Sequence, residues 1–97
     1  MGSRIKVIVV SEKDNVATAL EPLNAGTTVS VKVQGRIEKM KLFSDIPVGH
    51  KFALRNMVEG EAVIKYGEPI GRTTAKITRG EHVHIHNVVS EPRGGLR

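Results

Sequence analysis

Between Thr27 and Leu42 the chain alternates. Val29, Val31 and Val33 fall at every second position, and Arg36–Leu42 sets Ile37, Lys39 and Lys41 against Glu38, Met40 and Leu42. Side chains on a strand point to opposite faces in turn, so both segments are predicted as strands. Gln34-Gly35 between them supplies a tight turn, and the whole reads as a β-hairpin. Ile5–Val10 is mostly apolar, as a buried strand would be. Further strand-like pieces run over Lys51–Leu54, Ala62–Tyr66, Pro69–Ala75 and His82–Val88, punctuated by Gly49, Gly60, Gly67, Gly71 and Gly80.

One helix is predicted, near Asp14–Leu20. Ser11-Glu12-Lys13-Asp14 offers a turn, Asp14 or Asn15 offers a cap, and Pro22 and Gly26 close the segment. An apolar–x–x–Gly–x–x–apolar pattern occurs four times: Leu23…Gly26…Val29, Ile46…Gly49…Phe52, Met57…Gly60…Val63 and Ile77…Gly80…Val83. Glycine accepts positive φ, so each copy predicts a sharp turn into a strand. The intervals are irregular, which argues against a solenoid. The fold class is mainly β, made of short strands with one short helix.

Composition narrows the picture. Ninety-seven residues make one domain, with residues 89–97 read as a tail or the start of a linker. The chain has three aromatic residues, Phe43, Phe52 and Tyr66, so Val, Ile, Leu and Met must build its core. A core this small leaves room for self-association or for docking on a larger partner. No cysteine is present, which removes disulfides and thiolate metal sites and fits a reducing cytoplasm. No apolar run approaches the ~18 residues of a membrane helix. The net charge is +5, but the basic residues are scattered and aromatic stacking platforms are nearly absent. Both facts argue against nucleic acid, whereas a small anionic substrate suits a diffuse basic surface.

Chemistry concentrates in Gly80-Glu81-His82-Val83-His84-Ile85-His86-Asn87-Val88, which holds three of the four histidines. On a strand, His82, His84 and His86 would share one face while Val83 and Ile85 faced the core. Imidazoles at i and i+2 can converge on a divalent metal. His84 and His86, nearer the strand end, are the stronger metal candidates. The competing reading is a polar face on an edge strand. His50 follows the turn glycine Gly49 and precedes Lys51, so it can act as base, acid or ligand while Lys51 holds a carboxylate. Asp14 and Asn15 could bind substrate or metal at the helix start, or simply cap it. Asn87 could bind a substrate hydroxyl or cap a turn.

Four segments in order carry a resemblance. They are Asp14-Asn15-Val16-Ala17, Ile46-Pro47-Val48-Gly49-His50-Lys51-Phe52-Ala53-Leu54, Gly60-Glu61-Ala62-Val63-Ile64-Lys65-Tyr66-Gly67-Glu68-Pro69-Ile70-Gly71, and the histidine segment above. Together, over about residues 6 to 88, they resemble the SAF-type amino-terminal domain of the altronate/galactarate dehydratase family, which also takes in the sulfolactate sulfo-lyase small subunit. The resemblance implies a β-clip fold and a part in a lyase acting on sugar acids or related sulfonates. It implies a divalent metal, iron(II) or manganese(II), and a larger catalytic chain or region as partner. On that footing the chain is expected to be a small subunit or an amino-terminal domain, inactive alone. The alternative is a non-enzymatic β-clip module for carbohydrate binding or assembly, since one fold hosts many functions.

Overall fold

The computed structural model describes residues 6–90. Nine strands form in chain order: β1 (Val7–Ile8), β2 (Val16–Ala19), β3 (Thr28–Val33), β4 (Arg36–Lys41), β5 (Lys51–Ala53), β6 (Ala62–Lys65), β7 (Glu68–Thr73), β8 (His82–Val83) and β9 (Val88–Ser90). They make a central antiparallel sheet in the order β1-β2-β5-β8, a β3-β4 ribbon, and a β6-β7-β9 sheet. This is the mainly β architecture that the alternation predicts.

The two ribbons are built alike. Each leaves the central sheet through one isolated backbone bridge, Leu23↔Ile46 in one and Met57↔Ile77 in the other. Each turns at its tip on two successive residues of positive φ: Gln34 (50°) and Gly35 (80°), then Tyr66 (55°) and Gly67 (79°). Those angles match the primed turns that suit the right-handed twist of paired strands. The four patterned glycines sit at the ribbon bases with φ between 82° and 87°. Gly49 N–H donates to the Ala19 carbonyl, and Gly80 N–H donates to the Ala53 carbonyl, in equivalent places.

Two of these glycines should respond differently to alanine. A Cβ at Gly60 would meet open space, whereas one at Gly80 would lie 2.6 Å from the Lys41 carbonyl oxygen. Gly60→Ala is expected to cost about 1–2 kcal/mol, the strain of the left-handed backbone alone. Gly80→Ala adds overpacking against backbone, for a total of roughly 3 kcal/mol or more. Urea unfolding of the two variants measures the difference, and equal losses would contradict it.

The core lies on both faces of the central sheet. Ala17, Ala19, Phe52 and Leu54 pack with Val29, Val31, Met40 and Leu42 of the first ribbon. Val16, Ala53 and Val83 pack on the other side with Val63, Met57 and Ile77. Every residue of β2 is therefore buried. This overturns the predicted helix at Asp14–Leu20, for no helix occurs among the described residues. A strand buried on both faces loses its alternation and reads as an apolar run. Val16 and Thr18 are β-branched and suit the pairing with β1 and β5 that replaces the helix.

Val89 and Ser90, expected to begin a tail, belong to β9, which pairs with β7. Residues 91–97 of that expected tail lie outside the described residues, as does Ile5 of the first predicted strand. No helix among the described residues is long and apolar enough to cross a membrane.

Candidate functional site

The site is assembled where the two halves of the chain meet. In the β5–β8 pair, Lys51 lies opposite Val83 and Phe52 opposite His82. One step further along the same antiparallel register, His50 and His84 come side by side. Their rings stack with centroids 4.0 Å apart and planes 17° from parallel. His82 stacks at 5.1 Å from His50 and 5.4 Å from His84. His50 Nδ1 and His82 Nε2 are 2.9 Å apart, close enough for one ring N–H to donate to the other nitrogen. One ligand nitrogen from each of His50, His82 and His84 lies within 4.8 Å of the others.

The predicted histidine strand, His82–Val88, ends early. His82–Val83 is extended, but residues 85–87 turn before β9 begins. Asn87 causes this. Its Oδ1 accepts from the His84 N–H at 2.9 Å, and its Nδ2 donates to the His82 carbonyl at 2.9 Å. Asparagine side chains bonding to nearby backbone compete with strand ladders in this way. Val83 reaches the core as predicted, at 0% exposure, but Ile85 is 84% exposed at the turn. Asn87 itself is buried, so the structure commits its amide to shaping the turn rather than to solvent. His86 stands outside the group of three, its ring tilted 36° to that of His82 at 5.2 Å.

Lys51 lines a cleft of about 110 Å³ with Ile70, Val83, His84, Ile85, Val88 and Ser90. Burial, then the charge of Lys65, lowers the Lys51 pKa from its ordinary 10.5. Burial also leads the causes that lower His82 and His84 from 6.5, followed by their neighbours His50, His86 and Lys51, with His84 adding to the effect on His82. Neutral imidazole is the form that binds a metal or accepts a proton. The arrangement can thus hold a cation through nitrogen, move a proton, or hold a carboxylate beside Lys51.

These shifts make a signed prediction. The unfolded chain takes up protons on His82 and His84 near pH ~6.5, whereas the folded chain resists until lower pH. Stability is therefore full above about 6.5 and falls as the pH drops through that value toward the lowered pKa values. Urea midpoints measured from pH 7.5 to 5.5 without added metal should decline, and more steeply than in a His82→Asn/His84→Asn variant. Parallel curves would contradict the lowered values.

Asp14 and Asn15 are placed otherwise than at a helix start. Asp14 Oδ2 accepts from the Val10 and Ser11 N–H groups at 3.2 Å each, and Oδ1 accepts from Gly67 N–H at 2.8 Å. Asn15 Nδ2 donates to the Ala62 carbonyl at 2.9 Å, and its Oδ1 accepts from Ile64 N–H at 2.8 Å. Both side chains fasten the second ribbon to the start of β2, and neither lines the histidine cleft. A larger cavity of about 320 Å³ opens between Val9–Glu12 and the first ribbon tip. It has Glu12 and Lys32 but no group of metal-ligating or proton-transferring side chains, so size does not make it the candidate.

His82 is the member that sequence spacing underrates. Alternation puts it on the face of His84, but only the β5–β8 register brings His50 to the same point. Nothing in the spacing of 32 residues between His50 and His82 reveals that register.

Residues 5–91 match the family described as the altronate/galactarate dehydratase SAF domain. The chain is 47% identical to altronate dehydratase of Escherichia coli over 83 residues, which is 86% of this chain and 16% of that protein. It is 36% identical to altronate dehydratase of Bacillus subtilis, again covering only 15% of the relative. It is 40% identical to (2R)-sulfolactate sulfo-lyase subunit alpha of Chromohalobacter salexigens over 84 residues, 82% of this chain and 89% of that subunit. The match takes in both ribbons, the central sheet and all four histidines. The chain therefore belongs to the SAF-domain family of the altronate/galactarate dehydratases.

Proposed function

We propose that this chain is the SAF component of a metal-assisted lyase acting on a sugar acid such as altronate or galactarate, and that its His50–Lys51–His82–His84 face forms one side of the substrate site. One observation carries the reading: residues from two halves of the chain converge into a single histidine cluster beside a partly buried lysine. The relatives support its class, since they are named as a dehydratase and as a sulfo-lyase subunit.

Dehydration removes a proton α to a carboxylate and expels the β-hydroxyl, so negative charge builds on the carboxylate. Lys51 is the group that can hold that carboxylate at the cleft. Proton transfer falls to the imidazoles, whose lowered pKa leaves His82 and His84 neutral and ready to accept. His50 is positioned to share a proton with His82 along their 2.9 Å approach. In place of the shared proton, the same three nitrogens fit a divalent ion, which when bound would supply Lewis-acid polarisation of the substrate and leave the proton to other groups of the completed site.

A larger catalytic chain or region completes this site. The cleft, at about 110 Å³, falls well below the ~300–1,000 Å³ of enclosed small-molecule pockets. Ile85 stands exposed at its rim, next to His84, where an apolar side chain gains by being covered. The altronate dehydratase relatives are about six times longer than the matched segment, and the sulfolactate sulfo-lyase relatives are named as subunits. Ile85→Asp should then weaken association with the larger lyase chain by about tenfold or more, through a charge buried without a partner. Sedimentation velocity on the mixture reads the effect. Association unchanged by Ile85→Asp would remove this face from the interface, and failure of the wild type to associate would favour a free-standing binding module.

A further inference from the structure

We propose that His50, His82 and His84 form a transition-metal site that this chain carries by itself, with three imidazole nitrogens on one side of the ion and the remaining positions open toward the cleft beside Lys51. This rests on reading the histidine face as the functional one, and adds the ligand set, the metal class and independence from any partner.

Geometry comes first. Metal–nitrogen bonds of about 2.0–2.1 Å place neighbouring ligand nitrogens roughly 3.0–3.4 Å apart. His50 Nδ1 and His82 Nε2 already stand at 2.9 Å, and the third nitrogen, from His84, lies within 4.8 Å of both. The His50 and His84 planes, stacked 17° from parallel, must turn out of that stack for their in-plane lone pairs to meet at one ion. Two imidazole nitrogens this close repel through their lone pairs unless a proton or a cation lies between them. A single proton satisfies one pair, whereas a metal ion satisfies all three rings.

The backbone beneath the rings is held from several directions. The His82 N–H donates to Ser44 Oγ at 3.3 Å, and the His82 carbonyl accepts from Asn87. The His84 N–H donates to Asn87 Oδ1, and the His50 N–H donates to the Pro47 carbonyl at 3.0 Å. Outer partners of this kind fix ligand orientation before metal arrives. Asn87 is a positioning residue on this view, and its burial follows from that role.

The donor set selects the ion. Neutral nitrogen donors suit zinc, cobalt, nickel and iron(II), while magnesium and calcium demand oxygen. The three donors include no carboxylate, so a bound ion keeps its full positive charge and Lys51 adds to it. The open positions would accordingly draw water or an anionic oxygen ligand. His86 is excluded, because its tilted, exposed ring lies beside His82 and outside the group of three.

The test uses the untagged chain, stripped of metal with a chelator and titrated with Co(II) by calorimetry and visible absorption. One ion per chain is expected, and no uptake of Mg(II). His84→Ala should lower Co(II) affinity by more than the roughly 10–100-fold that disturbing an outer partner costs. His86→Ala should stay within about threefold of the wild type. Circular dichroism establishes that both variants keep the β fold, since His84 contributes its backbone rather than its ring to the Asn87 turn. Absence of Co(II) binding by the wild type would overturn the site, as would equal losses in the two variants. A lyase that assembles and turns over through this face while the chain binds no ion would overturn the metal site and leave the lyase reading standing.

Discussion

Alanine at His50 or His84 should lower kcat/KM of the assembled lyase by about 10²–10⁴, the range associated with losing a positioned acid or base. The two rings stack across the β5–β8 register at 4.0 Å, so each is placed by the same strand pair. Among the described residues neither ring makes a hydrogen bond to the core, and Val83 and Phe52 hold the strands together beneath them. The variants should therefore fold and assemble normally while turnover falls. Because the rings act as one cluster, the double variant should lose little more than the worse single one. Lys51→Met should behave differently, raising KM more than it lowers kcat, because it removes charge that holds substrate in both ground and transition states. Steady-state kinetics with matched thermal melts separate these cases. A His50→Ala enzyme with unchanged kinetics would take His50 out of the chemistry.

Asn15→Ala should be among the most damaging polar substitutions in the fold, at about 2–5 kcal/mol. In the second ribbon the register slips between Val63 and Ile64, so that Ile64 faces Pro69. Proline has no N–H to offer, and the bulge leaves backbone groups of β6 without their usual partners. Asn15 takes them over. Its N–H donates to the Ile64 carbonyl at 3.2 Å, its Oδ1 accepts from Ile64 N–H, and its Nδ2 donates to the Ala62 carbonyl. At 3% exposure, no water replaces an amide removed from this place. Two buried backbone groups left unpaired cost roughly 1–3 kcal/mol each. Asn15→Asp should also destabilise, since it keeps the acceptor but sets a carboxylate oxygen against the Ala62 carbonyl. Urea unfolding measures both, and a loss under about 0.5 kcal/mol for either would contradict the pairing described.

The chain states its turns more openly than its contacts. The first ribbon was legible because Val29, Val31 and Val33 alternate and Gln34-Gly35 marks the tip. The four patterned glycines were legible for a similar reason, each having the positive φ that its position demands. β2 was not, because burial on both faces erases alternation, and a capped apolar run then resembles a helix. Ile85 leaves the core face that alternation assigns it because the Asn87 side chain ends the strand first, which a period-2 pattern does not register. Asp14 and Asn15 drew notice as polar residues beside an apolar run. Asn15 pairs a bulged ribbon some fifty positions away, a need created by Pro69, and Asp14 holds the tip of that ribbon at Gly67, neither being visible outside three dimensions. The histidine segment announced itself, and His50 was singled out beside Lys51. Their meeting depends on a strand register that local spacing does not contain.

If the His50–Lys51–His82–His84 face is one side of a shared active site, neither side should work alone. The direct measurement is turnover of altronate, galactarate and sulfolactate by this chain, by a larger lyase chain of the same family, and by the two mixed, each supplied with iron(II) or manganese(II). The expected result is activity with at least one of these acids in the mixture only, lost when the added chain carries His50→Ala and His84→Ala. Turnover by the larger chain alone at the rate of the mixture would contradict it.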